Sequence, residues 1–129
     1  IDVFNHGKHT RDFTFIGDIV EGLIQTIDNP ASNNLNWDSH SPDPATSNRP
    51  WSIYNIGNNE PIKLMDYISA LEKALNKKAK INFLPLQPGD VPDTYSSIKM
   101  MNDKFNYKPR TSVVEGISKF VEWYKDYYS

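Results

Sequence analysis

With 129 residues the chain has room for one compact domain and is too short for two ordinary ones. A formal net charge of -2, with no long run of one sign, argues against a nucleic-acid or anionic-membrane partner. There are no cysteines, hence no disulfides and no thiolate chemistry, which fits a cytoplasmic protein, and no apolar run approaches membrane-spanning length.

In chain order, "IDVFN" (1–5) predicts a short strand and "NHGK" a turn, because Asn and Gly tolerate left-handed backbone. The opening has no Met and reads as mid-strand, so the expectation is a piece of a longer protein. "RDFTFI" (11–16) alternates, placing Arg11, Phe13 and Phe15 on one face of a second strand. Gly17 ends that strand, and Asp18 with Glu21 forms the pattern of a capping box. A helix follows with the stripe Ile19, Val20, Leu23, Ile24 and Ile27, stopped at Asn29-Pro30.

Residues 29–50 lack periodicity and are rich in Asn, Ser, Asp and Pro, which predicts a long surface loop. "WSIYNIG" (51–57) predicts a buried strand ending in a glycine turn. A helix is expected from Lys63 to Asn76, a strand at "KINFLPL" (80–86), and a turn at "QPGD", where Pro88-Gly89 suits the central positions. A short helix over Ser97–Lys104 precedes a final one, opened by Ser112 and Glu115 and carrying the stripe Val114, Ile117, Val121, Tyr124 and Tyr128. The order describes a mixed α/β layer without a long parallel sheet of its own.

Little of this pattern carries chemistry directly. No glycine-rich phosphate loop occurs, and His6, His9 and His40 lack metal-ligand spacing and read as ordinary surface residues. Tyr95 and Lys99 have Tyr-x-x-x-Lys spacing, but Lys99 falls near the start of a short helix, as a chance match would. Arg11 admits two readings: a surface ion pair with Asp12 or Glu21, or a planar donor fork for phosphate oxygens at a strand edge. Should the strands and the "QPGD" turn converge, Arg11, Asn55, Gln87 and Asp90 would line one cleft, with arginine on phosphate and Asp90 on sugar hydroxyls.

Four segments carry a resemblance. "RDFTFIGDIVEGL", "YNIGNNEPIKLMDYI", "LPLQPGDVPDTYSS" and "VVEGISKFVEWYKDYY" resemble, in this order, the C-terminal motifs of the NAD-dependent nucleotide-sugar epimerases and dehydratases, the extended short-chain dehydrogenases. The likeness covers essentially the whole chain. The loop with Trp37 and Pro44–Ser47, together with "LPLQPGDV", points to the bacterial UDP-glucuronate 4-epimerase branch.

The resemblance implies an α/β fold, the C-terminal substrate-binding portion (1–129) of a Rossmann-type enzyme. It implies short strands with three or four helices, the loop at 29–50, and no Rossmann core in these residues. Arg11 matches the arginine on the nucleotide diphosphate, Asn55 an asparagine near the same phosphates, and Asp90 a position that often binds the ribose. Gln87 stands where many relatives carry a second phosphate-binding arginine; glutamine is usual in the glucuronate branch. Lys63 replaces a Ser or Thr common at that helix start, which weakens the cap by about 1 kcal/mol.

The NAD site and the catalytic Ser/Thr and Tyr-x-x-x-Lys lie upstream in the family. The chain is therefore expected to hold no catalytic, cofactor or metal residue and to be inactive alone. The intact enzyme is expected to be a homodimer that binds a UDP-sugar and interconverts UDP-glucuronate and UDP-galacturonate. The alternatives are a decarboxylase or dehydratase on the same scaffold, or a stand-alone UDP-binding module.

Overall fold

A computed structural model describes all 129 residues and contains two sheets of two strands each beside four α-helices. β1 (Asp2–Val3) pairs in parallel with β4 (Asn82–Phe83), in the register Asp2 to Asn82. After β1 the chain turns through Phe4–Gly7, where Asn5, His6 and Gly7 all have positive φ (50°, 51° and 76°). The side-chain amide of Asn5 closes this turn by donating to the Lys8 carbonyl at 2.8 Å. The left-handed turn read from "NHGK" is the one that forms.

β2 (Thr10–Arg11) pairs antiparallel with β3 (Ile62–Lys63), with Thr10 opposite Lys63 and Arg11 opposite Ile62. On its other edge Thr10 bridges Asp93 in parallel; its N–H donates to the Pro92 carbonyl (3.1 Å) and its carbonyl accepts from Thr94 (3.2 Å). Two residues are thus clamped from both sides, and the clamp holds the backbone of Arg11 in place.

The helices are α1 (Ile16–Asp28), α2 (Leu64–Leu75), α3 (Lys99–Phe105) and α4 (Val113–Tyr127). α2 packs on α4 and α1 on α3. Val3, Ile68, Met101, Tyr107, Ile117 and Val121 form the core. α4 has the cap read from the sequence: the Ser112 hydroxyl accepts the Glu115 N–H at 3.2 Å. The Glu115 carboxylate, however, turns to Lys119 at 2.8 Å, so only half of the box closes. Lys63 caps α2 with no side-chain hydrogen bond, and α2 and α3 end on left-handed Asn76 and Asn106.

Three expected elements are shorter than their patterns. The strand at 11–16 pairs only at Thr10–Arg11, and α1 begins at Ile16, before the glycine expected to end the strand. Asp18 therefore lies inside the helix rather than at its cap. Its buried carboxylate accepts the N–H groups of Arg110 (3.4 Å) and Thr111 (3.1 Å), tying α1 to the start of α4. "WSIYNIG" forms no strand. Ser52 bridges Thr46, while Trp51 and Ile53 are exposed, because no strand lies alongside them to pair with. "KINFLPL" contributes two paired residues, Asn82 and Phe83.

The loop at 29–50 is held by its own polar side chains. Asp43 accepts the Ala45 N–H (2.9 Å) and the Thr46 hydroxyl (2.8 Å), and these bonds hold its carboxyl below the usual value. Asn34 accepts the Asn36 N–H at 3.0 Å and donates to Thr46 at 3.0 Å. Asx turns of this kind give a loop local order without a core. No helix is long and apolar enough to cross a membrane.

Candidate functional site

Arg11 and Asp90 meet, although 79 residues separate them in sequence. The Asp90 end is built by Gln87–Asp90, a turn closed by the Asp90 N–H on the Gln87 carbonyl at 3.1 Å. Proline presets the second position, and Gly89 takes φ 85° at the third, the left-handed conformation of a type II turn. A Cβ on Gly89 would meet nothing within 4 Å, so glycine is needed there for its backbone and not for space.

The Arg11 guanidinium spends Nη1 on two carbonyls, Thr10 at 2.9 Å and Pro92 at 2.8 Å. Its Nη2 donates to Asp90 Oδ1 at 3.2 Å. A guanidinium carries five N–H donors, so Nε and one hydrogen of Nη2 stay uncommitted. Asp90 Oδ1 also accepts the Val91 N–H at 2.9 Å. Arg11 is thus a fixed cation with spare donors, on an anchor that already fixes its plane.

The second oxygen of that carboxylate faces His9. Nε2 of His9 lies 3.4 Å from Asp90 Oδ2, and the residue is 5% exposed. This corrects the reading of His9 as a surface residue; His40 is exposed as expected, and so is His6. The reason is tertiary: the His9 carbonyl accepts the Leu64 N–H and the ring meets Asp90, 81 residues on, so no local pattern signalled the burial. The Nε2 to Oδ2 separation is within ion-pair reach without meeting hydrogen-bond geometry, so the nitrogen is buried with no partner. Leaving a buried polar nitrogen unpaired costs about 1–3 kcal/mol.

Asp12, read at first as a possible partner for Arg11, has a different task. Its carboxylate accepts three backbone N–H groups, from Asn59 (3.1 Å), Glu60 (3.2 Å) and Ser96 (3.0 Å). Residues 57–60 and 94–96 are thereby gathered beside β2. Gly57 lies so close that a Cβ there would come within 2.4 Å of Ser96 Cβ. The Tyr107 hydroxyl donates to the Gly57 carbonyl at 3.2 Å from beneath.

Of the four residues expected to share a cleft, Arg11 and Asp90 are in contact and Gln87 belongs to the same turn. Asn55 is exposed, and neither its side chain nor that of Gln87 makes a hydrogen bond within the chain. No hydrogen bond joins Asn55 to the pair, and "YNIG" does not form the expected strand. A hollow of about 220 Å³, lined by Phe13, Phe15, Tyr67, Ile117 and Phe120 among others, contains none of the four. Tyr95 and Lys99 take separate partners, Asn59 at 2.6 Å and Asp103 respectively.

No group of three or more His, Asp or Glu side chains is arranged to hold a metal ion. The glycine-rich turn from a parallel strand into a helix that commonly cradles a dinucleotide pyrophosphate does not occur here: β1 runs into the Phe4–Gly7 turn and β4 into Leu84-Pro85.

No protein-family model matches the chain. Protein CapI of Staphylococcus aureus is 46% identical over 128 residues, covering 99% of this chain and 38% of that protein. A probable UDP-glucuronate 4-epimerase of Rhizobium meliloti is 36% identical over 129 residues, with coverage of 99% and 38%. Among solved structures, a UDP-glucuronic acid 4-epimerase from Bacillus cereus, in complex with UDP-glucuronic acid and NAD, is 28% identical. It superposes with a TM-score of 0.74 over 98% of this chain and 35% of its own.

By sequence and by fold, the chain is homologous to the C-terminal part of extended short-chain dehydrogenases that act on nucleotide sugars. Within that class its relatives include UDP-glucuronate 4-epimerases. The chain spans about 38% of the length of the first curated relatives it matches.

Proposed function

We propose that this chain is the UDP-sugar-binding part of an NAD-dependent UDP-glucuronate 4-epimerase, an isomerase that interconverts UDP-glucuronate and UDP-galacturonate. The observation that carries this reading is the Arg11–Asp90 pair, 3.2 Å apart, in a chain whose relatives are such epimerases.

The pair suits a nucleoside diphosphate. The spare Nε and Nη2 hydrogens of Arg11 donate to phosphate oxygens, a charge-assisted contact worth about 1.5–3 kcal/mol. Asp90 accepts ribose hydroxyls on Oδ2, the oxygen that Arg11 leaves free. Gln87 and Asn55 offer exposed amides to the same diphosphate. An anchor of this kind acts on a part of the substrate remote from the reacting carbon. It holds UDP while the sugar ring turns, and the binding energy of the nucleotide serves the orientation of the sugar. NAD and the groups that move protons at C4 belong to residues outside these 129, and the chain alone turns over no substrate.

The test is product analysis with UDP-glucuronate and the full-length protein. UDP-galacturonate supports the epimerase; release of CO2 would move the assignment to a decarboxylase on the same scaffold. Arg11→Ala should weaken UDP binding by about 10- to 100-fold, as expected for one charge-assisted contact. Unchanged binding would remove Arg11 from the site.

A further inference from the structure

Native structures seldom leave a buried polar side-chain atom without a partner, and one that does calls for an explanation. His9 Nε2 is such an atom, and its nearest charged neighbour is the oxygen of Asp90 that the rest of the chain leaves free. We propose that His9 is a positioning residue of the nucleotide site, holding the Asp90 carboxylate in the orientation in which it accepts ribose hydroxyls. The proposal rests on the assignment of Arg11 and Asp90 to UDP.

The backbone of His9 has little freedom. Its carbonyl accepts the Leu64 N–H at 2.9 Å, and Thr10 beside it is clamped between Lys63 and Asp93. The backbone is therefore held in one place, and the ring, 5% exposed, has little room to turn. Asp90, by contrast, is fixed through one oxygen only, Oδ1, by Arg11 at 3.2 Å and Val91 at 2.9 Å. A carboxylate held at one oxygen can still swing the other. With Nε2 3.4 Å from Oδ2, a small movement of either group completes an N–H···O bond and sets the carboxylate plane. A carboxylate oxygen has two acceptor positions, so His9 takes one and leaves one for a hydroxyl.

Asp90 faces the ring directly and carries Arg11 on its other oxygen, Asp93 lies on the adjoining strand-like edge at Thr10, and Lys63 opposes Thr10 from β3. The simpler account is that the imidazole only fills space. The two accounts part on the ribose: a space-filler affects every nucleotide alike, whereas a group acting through Asp90 affects only those with hydroxyls for Asp90 to hold.

The experiment titrates the full-length protein with UDP and with 2′,3′-dideoxy-UDP, comparing the parent with His9→Leu, His9→Gln and Arg11→Ala. His9→Leu keeps the bulk and removes the donor. It should weaken UDP about tenfold, the size of one modest hydrogen bond, and leave dideoxy-UDP unchanged. His9→Gln, whose amide nitrogen reaches the position of Nε2, should recover most of the loss. Equal loss for both nucleotides, no loss at all, or no recovery with glutamine overturns the role of His9. If His9→Leu fails to fold, His9→Met replaces it in the same comparison. Arg11→Ala should weaken both nucleotides; if it weakens neither, the site assignment itself fails, a result distinct from a failure confined to His9.

Discussion

The Asp12 carboxylate accepts the backbone N–H of Ser96 at 3.0 Å, across 84 residues of sequence. With Asn59 and Glu60 also donating to it, Asp12 fastens two segments, one at 59–60 and one at Ser96, beside the strand that carries Arg11. An ionised carboxylate is acceptor-only and suits three converging donors. In Asp12→Asn one oxygen becomes an NH2 that faces N–H groups, so at least one backbone donor loses its partner. The expected cost is about 1–3 kcal/mol. It would be read as a lower urea midpoint with an unchanged slope. An unaltered midpoint would mean that water or another acceptor replaces Asp12.

Tyr107 supplies a test in pH. Burial raises its phenol above the ordinary value near 10, and the negative charges of Asp18, Glu21 and Asp12 add to the effect. The sign follows from linkage. Below pH 10 both folded and unfolded states keep the proton, and stability is constant in this group. Above it the unfolded chain ionises first, so stability falls as pH rises toward the raised folded value. Tyr107→Phe also loses the bond to the Gly57 carbonyl, about 1 kcal/mol at neutral pH. The parent's advantage over the variant should therefore shrink above about pH 10. Denaturant midpoints at neutral and alkaline pH would check this, and a gap that stays constant would contradict it.

These two residues mark where the sequence was not legible. Helix positions followed from 3.6-residue periodicity and from a local cap, which is why α2, α3 and α4 lie within a residue or two of expectation. The "QPGD" turn was legible for the same reason, since proline and glycine dictate backbone angles by themselves. Strand lengths were not, because pairing depends on what lies alongside. "RDFTFI" alternates over six residues, but β3 and the segment at 92–94 reach only Thr10 and Arg11. The task of Asp12, the burial of His9 and the removal of Asp18 from its expected cap all depend on segments more than forty residues away. No local pattern encodes them. The meeting of Arg11 with Asp90 was anticipated only as a condition on convergence, and the resemblance to nucleotide-sugar enzymes gave that condition its weight.

Asn55 and Gln87 allow binding and stability to be separated. Both are exposed and neither side chain makes a hydrogen bond within the chain, so alanine at either position should change stability by no more than about 0.5 kcal/mol. If their amides serve the diphosphate, UDP affinity should fall about 5- to 10-fold in each variant, the range of one neutral hydrogen bond. Thermal melts without nucleotide and calorimetric titrations with UDP give the two readings. A drop in melting temperature without loss of affinity would assign these residues to the fold instead.

The face of α1 makes the last prediction. Only 12 of the 129 residues are buried, so most apolar stripes are covered on one side at best. On α1 the inward side is taken by Gly22, where an added Cβ would come within 3.1 Å of the Tyr107 ring. Ile16, Val20, Leu23, Ile24 and Ile27 stay exposed, Ile27 to 76%. Burying such a side chain is worth about 1.5–3 kcal/mol, and five on one helix form a patch that water does not tolerate cheaply. The isolated 129 residues should therefore associate as concentration rises, with a light-scattering mass above that of one chain. Charges at the centre of the stripe, in Leu23→Glu with Ile27→Glu, should return the mass to that of a monomer. Neither site lies in the Arg11–Asp90 anchor, so UDP contacts there should be unaffected. A parent chain that stays strictly monomeric at high concentration would show that the α1 face is too divided by Glu21, Gln25 and Asp28 to act as one patch.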